Sequence, residues 1–232
     1  MSTKEITRHE LLEAVRARHS VRQYKALPIE PETVAALQRE VWRCNAGSGL
    51  HIQLVLNEPR AFAPGMFKYG VFTGASNYLV MAAPKGRSWE EKVGWYGEHL
   101  VLFAQALGLN SCWVGLTYKK IPGTYILDGS ETVHCVIALG YGQNPGVMHK
   151  QRPTEDFMVV KGEVPAWFRA GMEAAMLAPT ATHQQKYRFI LHEGNVVEAR
   201  TTFSLAGYTT VDLGIVKYHF ELAAGKENFR WQ

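Results

Sequence analysis

The chain carries the same structural pattern twice, and this constrains its fold more than any other feature. His51-Ile-Gln-Leu-Val-Leu-Asn-Glu58 matches Lys186-Tyr-Arg-Phe-Ile-Leu-His-Glu193 in its placing of apolar and polar residues. Further on, Gly97, Phe103, Ala106 and Gly108 match Gly214, Phe220, Ala223 and Gly225, and a tryptophan follows each block, Trp113 and Trp231. Each copy reads helix, loop, strand, long helix, turn, tryptophan. The second copy is shorter between its strand and its long helix. A repeated supersecondary unit buries its apolar face against its neighbour, so the two long helices are expected to pack together about a pseudo-two-fold axis, with Gly97 and Gly214 at the contact. The alternative is chance likeness between two ordinary helix–strand units.

The elements follow from periodicity. Residues 9 to 18 read as a short helix. Pro28-Ile29-Glu30-Pro31-Glu32 reads as a helix entry, followed by Val34, Leu37 and Val41 on one face, fading near Asn45 into an Ala46–Gly49 loop. Strands are expected at His51–Leu56, near Tyr78–Ala83, at Val133–Leu139 and at 187–192, the last entering a turn at His192–Asn195. A Pro/Gly/Phe-rich excursion (Pro59, Pro64, Gly65, Phe67, Gly70) separates the first two. The strongest helix runs from Trp89 to Leu107 and stops at Gly108. Others run from Val164, with Pro165 in the first turn, to Ala178, and from Thr209 to Ala224 before Gly225. Gly140-x-Gly142-x-x-x-Gly146 is not a dinucleotide loop: its spacing is wrong and Pro145 follows with no helix pattern.

Composition narrows the function. The chain has 232 residues and a net charge of +4, with 47% hydrophobic and 20% charged residues, which fits a globular protein. Nucleic-acid binding would call for clustered Lys/Arg runs with aromatics between them, and these are missing; an anionic small ligand suits the charge better. No apolar run is long enough for a membrane span, and Met-Ser-Thr-Lys-Glu-Ile-Thr has no apolar core of a secretory signal. Cys44, Cys112 and Cys135 are odd in number and far apart, so free buried thiols in a reducing, cytoplasmic setting are expected. The nine histidines show no metal-ligand spacing, so no metal is expected.

Two basic clusters stand out. In Arg18-His19-Ser20-Val21-Arg22-Gln23-Tyr24, an extended backbone would put Arg18, Ser20 and Arg22 on one side, where guanidinium forks and a hydroxyl suit a phosphate. His149-Lys150-Gln151-Arg152-Pro153 is the second. Each by itself also reads as a solvated loop. Together with two further stretches they resemble a known family. The first is similar to the "RxSxRxF/Y" of FMN-dependent nitroreductases. Gly108-Leu109-Asn110-Ser111-Cys112-Trp113-Val114-Gly115 resembles their "GLGSCWIG". Leu139-Gly140-Tyr141-Gly142 with Lys150-x-Arg152-Pro153 resembles "GYP…KxRxP". Ala174 to Phe189 resembles "AAxxAPSxxNxQPWxF", with His183 in place of Asn and Lys186 in place of Pro.

The resemblance implies an α+β fold, a mainly antiparallel sheet flanked by helices. The motif order resembles the subgroup in which one chain imitates the family's dimer. That implies two pseudo-symmetric halves, residues 1–162 and a shorter 163–232, and a monomer with one complete FMN site. Arg18, Ser20, Lys150 and Arg152 would hold the phosphate, with His19 in the same stretch. Arg22 would face the pyrimidine edge, and Gly115 and Leu116 would lie along the ring. Pro179, Thr180, Ala181 and His183 would close the site from the second half. NAD(P)H would reduce the flavin and leave before a nitroaromatic, quinone or similar acceptor takes its place; no side chain is singled out as a catalyst. Two other readings stand beside this one: a flavin-binding protein without efficient turnover, and a cofactor-free scaffold that binds a partner.

Overall fold

A computed structural model of the chain describes residues 5–63, 71–150, 152–205 and 207–232. Pro64, Gly65, Phe67 and Gly70 of the expected excursion lie outside them, as does Gln151. The fold is α+β, with five longer helices around two four-stranded sheets.

The first half opens with α1 (Arg8–Ala17), fixed at its start by a capping box between Thr7 and Glu10. Next come α2 (Pro31–Ser48), β1 (His51–Val55), β2 (Asn77–Pro84), α3 (Arg87–Ala106), β3 (Asn110–Val114) and β4 (Glu131–Gly140). Pro31 begins α2 and Gly49, in the left-handed region, ends it. The helix therefore continues past Asn45, through the expected loop. Asn45 stays helical because its amide docks on β1: Nδ2–H donates to Ile52 O at 2.9 Å and Oδ1 accepts from Ile52 N at 2.8 Å. The first sheet runs β1-β2-β4-β3, antiparallel throughout.

After β4 come β5 (Met158–Val160), α4 (Ala166–Leu177), β6 (Tyr187–His192), β7 (Val196–Thr201), α5 (Thr209–Ala224) and β8 (Arg230–Trp231). The second sheet runs β5-β6-β7-β8. The two outer pairings are parallel and β6–β7 is the antiparallel hairpin, turning through left-handed Gly194 and Asn195. The sheets are thus two, not one central sheet. β5 comes from residues before 162 yet forms an edge of the second sheet, so the segment after β4 ties the halves together.

The main core lies between the helices and one face of each sheet. Leu79, Met81 and Ala83 of β2 enter it, while Val80 and Ala82 face a smaller core with Val21, Tyr24 and Phe72. All three cysteines are free and buried. No helix of the described residues is long and apolar enough to cross a membrane.

The two long helices, α3 and α5, do pack closely, as the repeat predicts, but the glycines at the crossing are Gly94 and Gly214. A Cβ on Gly94 would collide with the carbonyl oxygen of Val211, and a Cβ on Gly214 with that of Glu91. The contact is reciprocal, one glycine and one carbonyl from each helix. Gly97 instead accommodates the rings and methyls of Trp113 and Met81. The glycine opposite Gly214 at the crossing is thus one helical turn before the one that matching letters pairs with it.

Gly214→Ala should lower the unfolding free energy by about 1–3 kcal/mol, the cost of overpacking against backbone. Gly47→Ala, near the end of α2 with only an ordinary contact to Tyr96 at 3.4 Å, should be neutral or stabilising by up to about 1 kcal/mol. Urea titration of both variants checks the contrast; equal effects would mean that the α3–α5 crossing is not tightly packed.

Candidate functional site

The basic stretch after α1 is extended, as its alternation predicts. Ser20 bridges Ser111, Gln23 bridges Thr73 and Tyr24 bridges Gly142. Val21 turns into the core, and Arg18, Ser20 and Arg22 face a cavity of about 700 Å³. Lys150, Arg152, Pro179, His183 and Gln185 line the same cavity. A second cavity of about 360 Å³ adjoins it and shares Ser20, Arg22, Pro179 and His183. Its other walls are more apolar: Trp113, Gly115 and Leu116 from the first half, Thr180, Ala181, Tyr208 and Ile215 from the second. Both volumes fall in the range of small-molecule sites.

Of the residues singled out from sequence, eleven line one cavity or both. His19 lines neither; it packs beside Gly146, where an added Cβ would stand 2.7 Å from the His19 Cβ. Arg152 is held at Asp156 (Nη2 to Oδ2, 3.0 Å) with its guanidinium over the Phe157 ring. The rings of His149 and His183 stack at 5.3 Å. Burial first pushes both histidines below their ordinary range, joined by the charges of Arg22 and Arg18 at His183 and of Arg18 at His149.

Arg18 is the anchor of the basic cavity. It is 4% exposed, and Nη2–H reaches the Leu177 carbonyl at 3.5 Å. Its Nε is buried without a hydrogen-bond partner; the nearest carboxylate oxygen, Glu98 Oε1, is 3.8 Å away. Burial lowers the Arg18 pKa, against the opposing pull of Glu98. Glu98 is fully buried and engaged elsewhere. Oε2 accepts from Trp113 Nε1–H at 2.8 Å and Oε1 lies 2.8 Å from His219 Nε2. His219 Nδ1 sits 3.0 Å from Ala174 O, which can only accept, so Nδ1 carries a proton. Glu98 Oε1 is therefore shared, 2.8 Å from His219 Nε2 and 3.8 Å from Arg18 Nε. Arg18 is a buried cation whose carboxylate partner is shared and whose Nε makes no hydrogen bond, facing a cavity lined by other cations. Such an arrangement is costly unless an anion completes it, and a phosphate group fits these donors.

Sequence reasoning missed Glu98, Trp113, Asp212, Tyr208 and Gln185. Glu98 and Asp212 are buried acids in helices that carry other acids as well, Glu90 and Glu91 in α3 and Glu221 in α5, so the sequence alone does not set them apart. Asp212, in the first turn of α5, accepts from Ala181 N at 2.9 Å and Gln184 Nε2 at 2.7 Å. Two clusters with metal-ligand chemistry are also present, and hydrogen bonds account for both. His99 bridges Glu40 (2.7 Å) and Tyr218 (2.7 Å) beside Cys44, whose thiol burial pushes up to about 12. His51 takes Glu131 at 2.8 Å.

With this geometry in hand, comparisons with known proteins are decisive. A family model described as "Putative TM nitroreductase" matches residues 10–224. The chain belongs to that nitroreductase family. A structure from Thermotoga maritima, described as a "putative nitroreductase", superposes with a TM-score of 0.64 at 20% identity, over 97% of this chain and 88% of that one. One from Desulfovibrio desulfuricans, described as a "putative nitroreductase in complex with FMN", gives 0.50 at 18% identity, over 70% and 100%. These likenesses establish the fold. No curated protein sequence matches.

In this family member the buried Glu98 lies between the two cavities, since Arg18 belongs to one and Trp113 to the other. Glu98→Ala should destabilise the fold by about 3–5 kcal/mol, because it leaves buried polar partners unpaired. Guanidinium unfolding measures it. A loss under about 1 kcal/mol would show that the cluster relaxes to water and that Glu98 holds nothing in place.

Proposed function

We propose that the chain binds one FMN across the two cavities and is an NAD(P)H-dependent oxidoreductase for nitroaromatics, quinones or similar small acceptors. The observation that carries this reading is the junction of a cation-lined cavity, with Arg18 buried and its Nε without a hydrogen bond, to a more apolar cavity lined by Gly115. Arg18, Ser20, Lys150 and Arg152 would hold the phosphate by charge-assisted bonds. Arg152, already oriented by Asp156 and Phe157, loses little freedom on binding. Arg22, shared by both cavities, would sit at the pyrimidine edge and favour negative charge there. Trp113, Leu116, Thr180 and Ala181 would exclude water from the ring. When bound, FMN supplies the hydride chemistry, accepting from NAD(P)H and passing to the acceptor. Donor and acceptor would use the same cavity in turn.

The same reading takes one chain as the equivalent of a dimer, with halves 1–162 and 163–232 meeting at α3 and α5. In its support, the glycine contact there is reciprocal, and the hydrogen bonds Glu98–His219 and Tyr218–His99 cross the same pair of helices. Both halves line each cavity, so a monomer would suffice. Three buried free thiols suit a reducing compartment such as the cytoplasm.

One observation favours a second reading, flavin binding with little turnover. The Tyr208 ring lies on Gly115, where a Cβ would come within 2.6 Å of it, and Tyr208 OH donates to Gly115 O at 3.0 Å. The ring cavity is narrow there. Bleaching of the bound flavin by NAD(P)H under nitrogen, followed by recolouring on adding an acceptor, separates the two.

Arg18→Ala should weaken FMN binding by roughly ten- to a hundredfold, since a bond to a charged group contributes about 1.5–3 kcal/mol. Riboflavin, without the phosphate, should bind wild type and variant alike. Fluorescence quenching measures both. If riboflavin weakens as much as FMN, Arg18 is a structural residue and the phosphate lies elsewhere.

A further inference from the structure

The loop from Thr180 to Gln185 is held in a shape its residues do not favour. Thr182, His183 and Gln185 all take positive φ, at 52°, 54° and 46°. Left-handed backbone is unfavourable for residues with a Cβ and persists where the surroundings over-determine it. Here the over-determining group is Asp212. Its side chain is buried; Oδ1 accepts from Ala181 N–H at 2.9 Å and Oδ2 from Gln184 Nε2–H at 2.7 Å. Gln184 extends the tie: Nε2 also reaches Gly207 O at 3.2 Å, and Oε1 accepts from Ser204 Oγ at 2.5 Å. The carboxylate at the start of α5 thus holds the loop bearing His183, and Gln184 passes the tie on to the loop leading to Tyr208; both residues line the apolar cavity.

We propose that Asp212 is a positioning residue whose carboxylate, bound to one loop directly and to the other through Gln184, fixes this wall of the flavin-ring cavity and so sets how tightly the ring is held. This rests on the flavin reading above. The groups that stabilise the carboxylate are neutral donors, the Ala181 amide and Gln184, and burial holds its pKa up to about 6. The titratable groups facing it are Cys135 of β4, Tyr187 of β6 and Tyr208, all kept protonated by burial; His183 sits on the clamped loop, its pKa lowered by burial. The sign of the linkage is that of an acid with a raised folded pKa. The folded state binds the extra proton between the unfolded value and about 6, so stability from this group increases as pH falls through that window. The aspartate therefore opposes global stability at neutral pH while holding the site together, the combination expected of a functional group.

Asp212→Asn separates the two roles. Asn keeps an oxygen for Ala181 N–H but turns an amide donor toward the Gln184 amide donor, so the tie opens while the buried charge disappears. Riboflavin is the probe, since its lack of a phosphate removes a competing titration. At about pH 8 the variant should bind riboflavin roughly tenfold more weakly than wild type, the worth of one or two hydrogen bonds, with a thermal midpoint equal or higher. Wild-type affinity should fall as pH drops through about 6, and the variant's should not. Equal riboflavin affinity at pH 8 overturns the proposal. So does a parallel loss of affinity and thermal midpoint, the mark of a merely structural residue. If wild type binds no flavin, the flavin reading fails instead, and hydrogen exchange at the Ala181 amide then decides the clamp: faster exchange in Asp212→Asn supports it, and unchanged exchange overturns it.

Discussion

Everything at the site hangs on how closely α3 and α5 approach. Gly94 and Gly214 let each helix seat a carbonyl of the other in the space a Cβ would take. That approach brings His219 of α5 within hydrogen-bonding distance of Glu98 on α3 and Tyr218 within reach of His99. It also sets the start of α5, with Asp212 and Tyr208, against the strand end that carries Gly115. A larger residue at either glycine would push the helices apart by roughly the width of a methyl group. The hydrogen bonds across the crossing are too short to follow such a shift unchanged.

The charge pattern has the same origin. Glu98 gives its short hydrogen bonds to His219 and Trp113, and Arg18 is left with the longer contact at 3.8 Å. Had Glu98 been free to pair with Arg18 at full strength, the cavity would have had less to offer an anion. The core acid thus spends its hydrogen-bonding capacity on a histidine of α5 and a tryptophan of β3, and the exposed end of the network stays cationic. An internal helix crossing and an external binding preference are connected through one carboxylate.

Much of this was legible in the sequence, for identifiable reasons. Arg18, Ser20 and Arg22 share a cavity because alternation in an extended segment is a local rule, and the long helices announce themselves by period. The close packing of the two long helices was visible too, but not which glycines make the crossing. Matching like letters favours Gly97 with Gly214, whereas the contact is made by Gly94, and Gly97 serves Trp113 instead. Glu98 and Asp212 escaped because their partners are remote: His219 is 121 residues from Glu98 and Ala181 is 31 from Asp212. The second sheet was hidden for a further reason. β5 and β8 have three and two residues, too few for any pattern, and tertiary packing alone makes them strands.

The central claim is that one chain builds one complete flavin site from its two halves. Sedimentation velocity of the FMN-loaded protein, followed at both the flavin and the protein absorbance over a wide concentration range, tests it most directly. The account predicts that flavin travels with the 26.0 kDa monomer at one equivalent per chain, independent of dilution. Flavin that sediments only with a dimer, and is released as the dimer dissociates, would contradict it.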